Sequence, residues 1–150
     1  MDSLVNASDP AVSFAYPTML DDRTENEGIV GQPVLDFKVK SFPAEFGMIC
    51  MSGIVNVSHD KTYSIDSNVY FNGEIVTNPM AESKLLEHEA NLSKESLYIA
   101  TFGLQVDKIT ARLPGFYVLK VSLYENTGSD SRKLIDSKEC IFAVSSSWSH

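Results

Sequence analysis

The chain is 150 residues long, with 43% hydrophobic and 10% aromatic side chains, enough apolar material for one packed domain and too much for a disordered one. Twenty acids against 12 Lys and Arg give a formal charge of −8, which excludes the clustered basic surface that nucleic acid requires. Such a charge suits solubility, or docking on a basic partner.

The first 30 residues read as an N-terminal edge strand and a polar loop. Ser13-Phe-Ala-Tyr-Pro17 fits the edge strand, because proline is tolerated where the ladder has a free side. Asp21, Asp22, Glu25 and Glu27 then form an acidic loop. No basic, apolar leader opens the chain, and no run approaches the ~18 apolar residues of a membrane span, so the expected location is the cytoplasm. Cys50 and Cys140 fit that reducing compartment as small buried thiols, although a disulfide between neighbouring strands stays open. Three Asn-x-Ser sequons, at Asn6, Asn56 and Asn91, carry little weight in a Ser-rich chain without a secretory signal.

Residues 31–145 carry the domain. Leu35, Phe37 and Val39 alternate with Asp36, Lys38 and Lys40, a half-buried strand stopped by Pro43. Met48 to Val57 is apolar enough for a strand covered on both faces. Tyr63 to Phe71 continues as strand, and Asn72-Gly73 supplies the two positive-φ residues of a type I′ hairpin, pairing Val69–Phe71 with Glu74–Val76. Between residues 80 and 92 the rhythm changes. Ala81, Leu85, His88 and Leu92 fall at helical spacing with Glu82, Lys84, Glu87 and Glu89 mostly facing water, predicting a short helix or a long loop. Leu97 to Val106 returns to strand.

Leu113-Pro-Gly-Phe-Tyr-Val-Leu-Lys-Val-Ser-Leu-Tyr124 is the strongest signal: Tyr117, Leu119, Val121 and Leu123 alternate with Phe116, Val118, Lys120 and Ser122. A polar turn over residues 125–130 leads to two short runs, Lys133–Asp136 and Glu139–Val144, and residues 146–150 form a tail. Seven to nine short strands with regular turn signals predict an antiparallel, immunoglobulin-like β-sandwich.

Pro114-Gly115-Phe116-Tyr117 and the closing Phe142-Ala143-Val144 resemble an uncharacterised family of small bacterial and phage β-sandwich proteins, over about the final third of the chain. The resemblance implies the sandwich and transfers no functional residue.

Catalytic grammar is missing. There is no Gly-x-Ser-x-Gly elbow, and His59 and His88 sit beside acids without a nucleophile at a telling spacing. Two cysteines 90 residues apart lack zinc-site spacing, and no glycine-rich phosphate loop is present. Calcium on the Asp21–Glu27 loop needs a second carboxylate such as Asp60 or Asp66. The tyrosines lie in strands, leaving Trp148 in the tail as the exposed aromatic anchor. No cofactor is therefore expected. The sequence points to a non-enzymatic module that binds another protein. It fits an acidic inhibitor of bacterial or phage origin using Asp21, Asp22, Glu25 and Glu27, or Glu82, Glu87 and Glu89, against a basic partner. The alternatives are a sandwich that binds a carbohydrate or small molecule and a minor component of a phage particle or secretion assembly. Homodimerisation through an edge strand is compatible with each.

Overall fold

The computed structural model describes residues 9–19, 31–58, 61–77, 84–86, 99–128 and 131–146. Nine strands run through them: β1 (Ala11–Thr18), β2 (Asp36–Val39), β3 (Ala44–Val55), β4 (Tyr63–Phe71), β5 (Glu74–Ile75), β6 (Lys84–Leu86), β7 (Ile99–Ala111), β8 (Gly115–Asn126) and β9 (Arg132–Ser146). They form a β-sandwich. The smaller sheet has the order β1-β3-β7. The larger has the order β2-β9-β8-β4-β5, with β6 also on β4.

Alternation on β8 decides where the core lies. Tyr117, Leu119, Val121 and Leu123 are at most 1% exposed and face the smaller sheet, which returns Val12, Met48, Cys50, Ile54, Leu104 and Ile109. Phe142 and Val144 of β9 lie opposite Tyr117 and Gly115, and Phe142 packs edge-on against Phe37 of β2 at 5.5 Å between ring centroids. Strand β3 is buried on both faces from Met48 to Ile54, as its apolar run predicts. Its Gly53 lies beneath the Phe14 ring, which occupies the space a Cβ would need.

The Asn72-Gly73 hairpin forms with the expected register. Asn72 and Gly73 have φ of 50° and 82°, Tyr70 pairs with Ile75, Phe71 pairs with Glu74, and Val76 N–H donates to the Val69 carbonyl at 2.8 Å. Pro17 lies in β1, at the edge of the smaller sheet.

Four departures from the sequence reading have physical causes. Lys84–Leu86 form a strand rather than helix. The Tyr63–Ile65 half of β4 extends beyond the two-residue β5, and its edge groups recruit the segment into the ladder against its helical spacing. The two short runs after residue 130 are one strand, β9, because no Gly or Pro interrupts Ser137-Lys138 and a register shift opposite Leu123 and Tyr124 absorbs the mismatch. β9 also continues through Ser146, the first residue of the expected tail, since Lys38 and Val39 of β2 pair with Ser145 and Ser146. Finally, that β2–β9 pairing is parallel in an otherwise antiparallel fold. Residues just before β2 tie the two sheets together at this corner: Val34 N–H donates to the Pro17 carbonyl and Ala143 N–H to the Leu35 carbonyl.

Candidate functional site

All seven acids singled out by the sequence, Asp21, Asp22, Glu25, Glu27, Glu82, Glu87 and Glu89, lie outside the described residues, as do His59, Asp60, His88 and Trp148. A candidate site must therefore be built from the described residues of the sandwich.

Among the described residues, nucleophilic chemistry has one geometric candidate. Lys38 Nζ donates to Ser145 Oγ at 2.9 Å, Ser145 donates to Asp36 Oδ1 at 2.8 Å, and Lys38 contacts Asp36 directly at 2.9 Å. A Ser–Lys dyad needs a neutral, desolvated amine as its base. Here the lysine is 58% exposed and paired with a carboxylate that its own hydrogen bond, followed by that of Ser145, holds below the usual acidity range. The exposed, ion-paired lysine lacks that environment, and the trio serves to clamp the parallel β2–β9 pair.

Metal chemistry finds no better footing. Among the described residues no group of three or more His, Cys, Asp and Glu side chains is placed to hold an ion. Asp66, offered by the calcium reading as a partner from a second loop, sits within β4 and accepts two hydrogen bonds from Arg132, at 2.9 and 3.3 Å. The same guanidinium stacks 3.8 Å over the Tyr124 ring. Both cysteines are free thiols. Burial pushes the Cys50 thiol up to about 12 despite its contact with Ser52 at 3.3 Å, so it stays protonated and unreactive at neutral pH.

The outer face of the larger sheet is the more informative surface. Tyr70 pairs with Ile75 on one side and Val118 on the other, and Val118 pairs with Ile141. These four side chains form a row crossing β5, β4, β8 and β9. In the adjoining register Phe116 pairs with Ala143, which places Phe116 diagonal to Ile141. Phe116, near the start of β8, is 73% exposed and Ile141, within β9, 63% exposed, large values for adjacent apolar side chains in paired strands. The sequence carried this signal in the Phe116 and Val118 positions of the alternating strand, where a solvated face calls for polar residues.

Beside this row, where β7 ends against β5, the sandwich opens into a cavity of about 350 Å³. Glu74 and Ile75 form one wall, Thr110 and Arg112 the other, and Phe71 and Tyr117 the floor. Thr110 N–H donates to the Val76 carbonyl at 3.1 Å, which joins the two sheets at this point. The floor rings stack at 4.5 Å with a 29° tilt. The Tyr117 hydroxyl donates to the Leu113 carbonyl at 2.7 Å, fixing the β7–β8 turn. Gly115, with φ +149°, lies so close to Phe71 that an added Cβ would come within 3.2 Å of its ring. The Pro-Gly turn is thus what lets β8 start against the floor of the cavity.

No family model, curated protein or solved structure matches the chain. No helix among the described residues is long and apolar enough to cross a membrane.

Proposed function

We propose that the chain is a non-enzymatic interaction module that docks a basic protein partner on the outer face of its larger sheet. The observation that carries this reading is the outward apolar row Ile75–Tyr70–Val118–Ile141, exposed at its Ile75 and Ile141 ends and half-buried at Tyr70 and Val118, with the exposed Phe116 beside it. Apolar side chains that a sandwich has no internal reason to place on its solvent face are the ordinary mark of a protein-binding surface. Aromatic anchors of the Phe and Tyr kind supply most of the energy in such contacts. The partner's chemistry follows from charge. A net −8 draws a basic protein in and repels an acidic one. Asp21, Asp22, Glu25, Glu27, Glu82, Glu87 and Glu89 would add steering charge in this scheme. An acidic inhibitor that covers a basic working surface is the form of activity most compatible with it.

The reading separates two effects that one experiment can resolve. Replacing Phe116 and Ile141 together by Ser removes the apolar contact and leaves the charge unchanged. Affinity for the captured partner should then fall through faster dissociation, while raised salt should slow association of wild type and variant alike. A variant that binds the same partner with unaltered kinetics removes this surface from consideration.

A further inference from the structure

The cavity at the β5–β7 corner carries an inference of its own, independent of the docking surface. Its walls bear opposite charges, Glu74 on one side and Arg112 on the other. Both side chains are exposed, they do not lie within ion-pair distance of each other, and neither has a hydrogen-bonding or ionic partner among the described residues. A purely anionic ligand would meet Glu74, and a purely cationic one would meet Arg112. A molecule carrying both charges satisfies the two walls together. Between them the floor is apolar and aromatic, made by the Phe71–Tyr117 stack, with Ile75 at the rim. The Tyr117 hydroxyl is engaged by the Leu113 carbonyl and its ring is only 1% exposed, so the half-buried Phe71 ring, backed by Tyr117, supplies the apolar surface at the base. The volume, about 350 Å³, falls at the lower end of the range for small-molecule sites.

We propose that this cavity binds a small zwitterion with an apolar body, the chemistry of a free apolar α-amino acid, with its carboxylate on Arg112, its ammonium on Glu74 and its side chain against the Phe71 ring and Ile75. Arginine suits the carboxylate because its planar fork offers two parallel donors. Glu74 receives the ammonium as a charge-assisted acceptor.

The test is a two-dimensional amide NMR titration of the intact protein with L-leucine and with L-phenylalanine. N-acetyl-L-leucine, which lacks the ammonium, and L-leucinamide, which lacks the carboxylate, are run beside them. The free amino acids should produce saturable shifts confined to residues 71–76 and 110–117. Each blocked analogue should bind at least about tenfold more weakly, the loss expected when one charged hydrogen-bonding partner is removed. Arg112→Gln and Glu74→Gln, both at exposed positions, should weaken the free amino acids by a similar factor while leaving the remaining spectrum in place. The Phe116→Ser/Ile141→Ser variant should titrate as wild type, so loss of partner docking and loss of this site are distinguishable. Absence of saturable shifts with either amino acid overturns the proposal. So do blocked analogues that bind as well as the free molecules, or shifts that saturate elsewhere on the sandwich.

Discussion

The two ends of the larger sheet's outer face solve the same problem differently. Near the β8–β9 turn the surface is largely polar and satisfied within itself, apart from Leu134, 53% exposed opposite Tyr124. Ser64 donates to Asn126, Asp66 takes both hydrogen bonds of the Arg132 fork, and the guanidinium covers Tyr124. Asp66, Ser122 and Ser137 form a polar row across β4, β8 and β9. Two registers further along, after the row Asn68–Lys120–Glu139, the corresponding positions are Tyr70, Val118 and Ile141, with Phe116 beyond. One end is finished for water by its own side chains. The other presents what a partner would have to cover. The same strands supply both, so the difference lies in residue choice at matched positions of one ladder, and strand geometry does not explain it.

This contrast can be broken or sharpened by substitution. The inner face sets the upper bound. Phe142→Ala, in a side chain 1% exposed between Phe37 and Tyr117, should cost about 3–5 kcal/mol in chemical denaturation. A cost near 1 kcal/mol would mean that the two sheets are not packed through this residue.

Alkaline pH gives the next effect. The Cys50 thiol is raised to about 12 by burial, so the folded state holds a proton that the unfolded chain releases near 8.5. Its contribution is full below about pH 8.5 and declines as pH rises toward 12, by about 1.4 kcal/mol for each pH unit crossed. Burial raises Tyr117 in the same direction. Denaturation at stepped pH should show this decline, and Cys50→Ala should flatten it. An unchanged slope in the variant would place its origin elsewhere.

At the polar end, Arg132→Ala removes a two-point ion pair and a ring contact at partly exposed positions, and should cost about 1 kcal/mol. At the apolar end, Phe116→Ser with Ile141→Ser should change stability by no more than about 0.5 kcal/mol per site, since both side chains already face water. If the apolar pair proves as costly as Arg132, the row is a packed structural feature and the contrast between the two ends dissolves. The smallest effect belongs to the Asp36–Lys38–Ser145 clamp. The lowered Asp36 pKa contributes stability above the unfolded carboxylate range near 3.9 and loses it as pH falls through the lower folded value. Asp36→Asn should therefore reduce the acid-limb slope only slightly, as expected of an exposed pair.

How much of this was readable beforehand varied with the distance over which the signal acts. Local patterns were legible. The β8 alternation separated its two faces, one of which is the buried set, Asn72-Gly73 gave its hairpin and register, and the apolar run of β3 predicted burial on both faces. Features set by distant neighbours were not. Lys84–Leu86 is strand because β4 has an open edge 20 residues earlier, and β9 is continuous because β8 templates it. The parallel β2–β9 pair joins residues over 100 positions apart and leaves no trace in either segment. The site behaved likewise. Phe116 and Val118 were visible as the outward half of an alternation, but their meeting with Tyr70, Ile75 and Ile141 depends on the order of four strands. Arg112 and Glu74 stand 38 positions apart, and only the β5–β7 corner brings them to one cavity.

The central claim is that the apolar end of the outer face docks a basic partner. Its most direct test is parallel capture from a nuclease-treated lysate of the source cells by immobilised wild type and by Phe116→Ser/Ile141→Ser, each at low and high salt, with mass spectrometry as the readout. The account predicts one basic protein held stoichiometrically by wild type, reduced by salt and lost from the variant. The same protein retained equally by both baits, or an acidic protein retained by wild type alone, would contradict it.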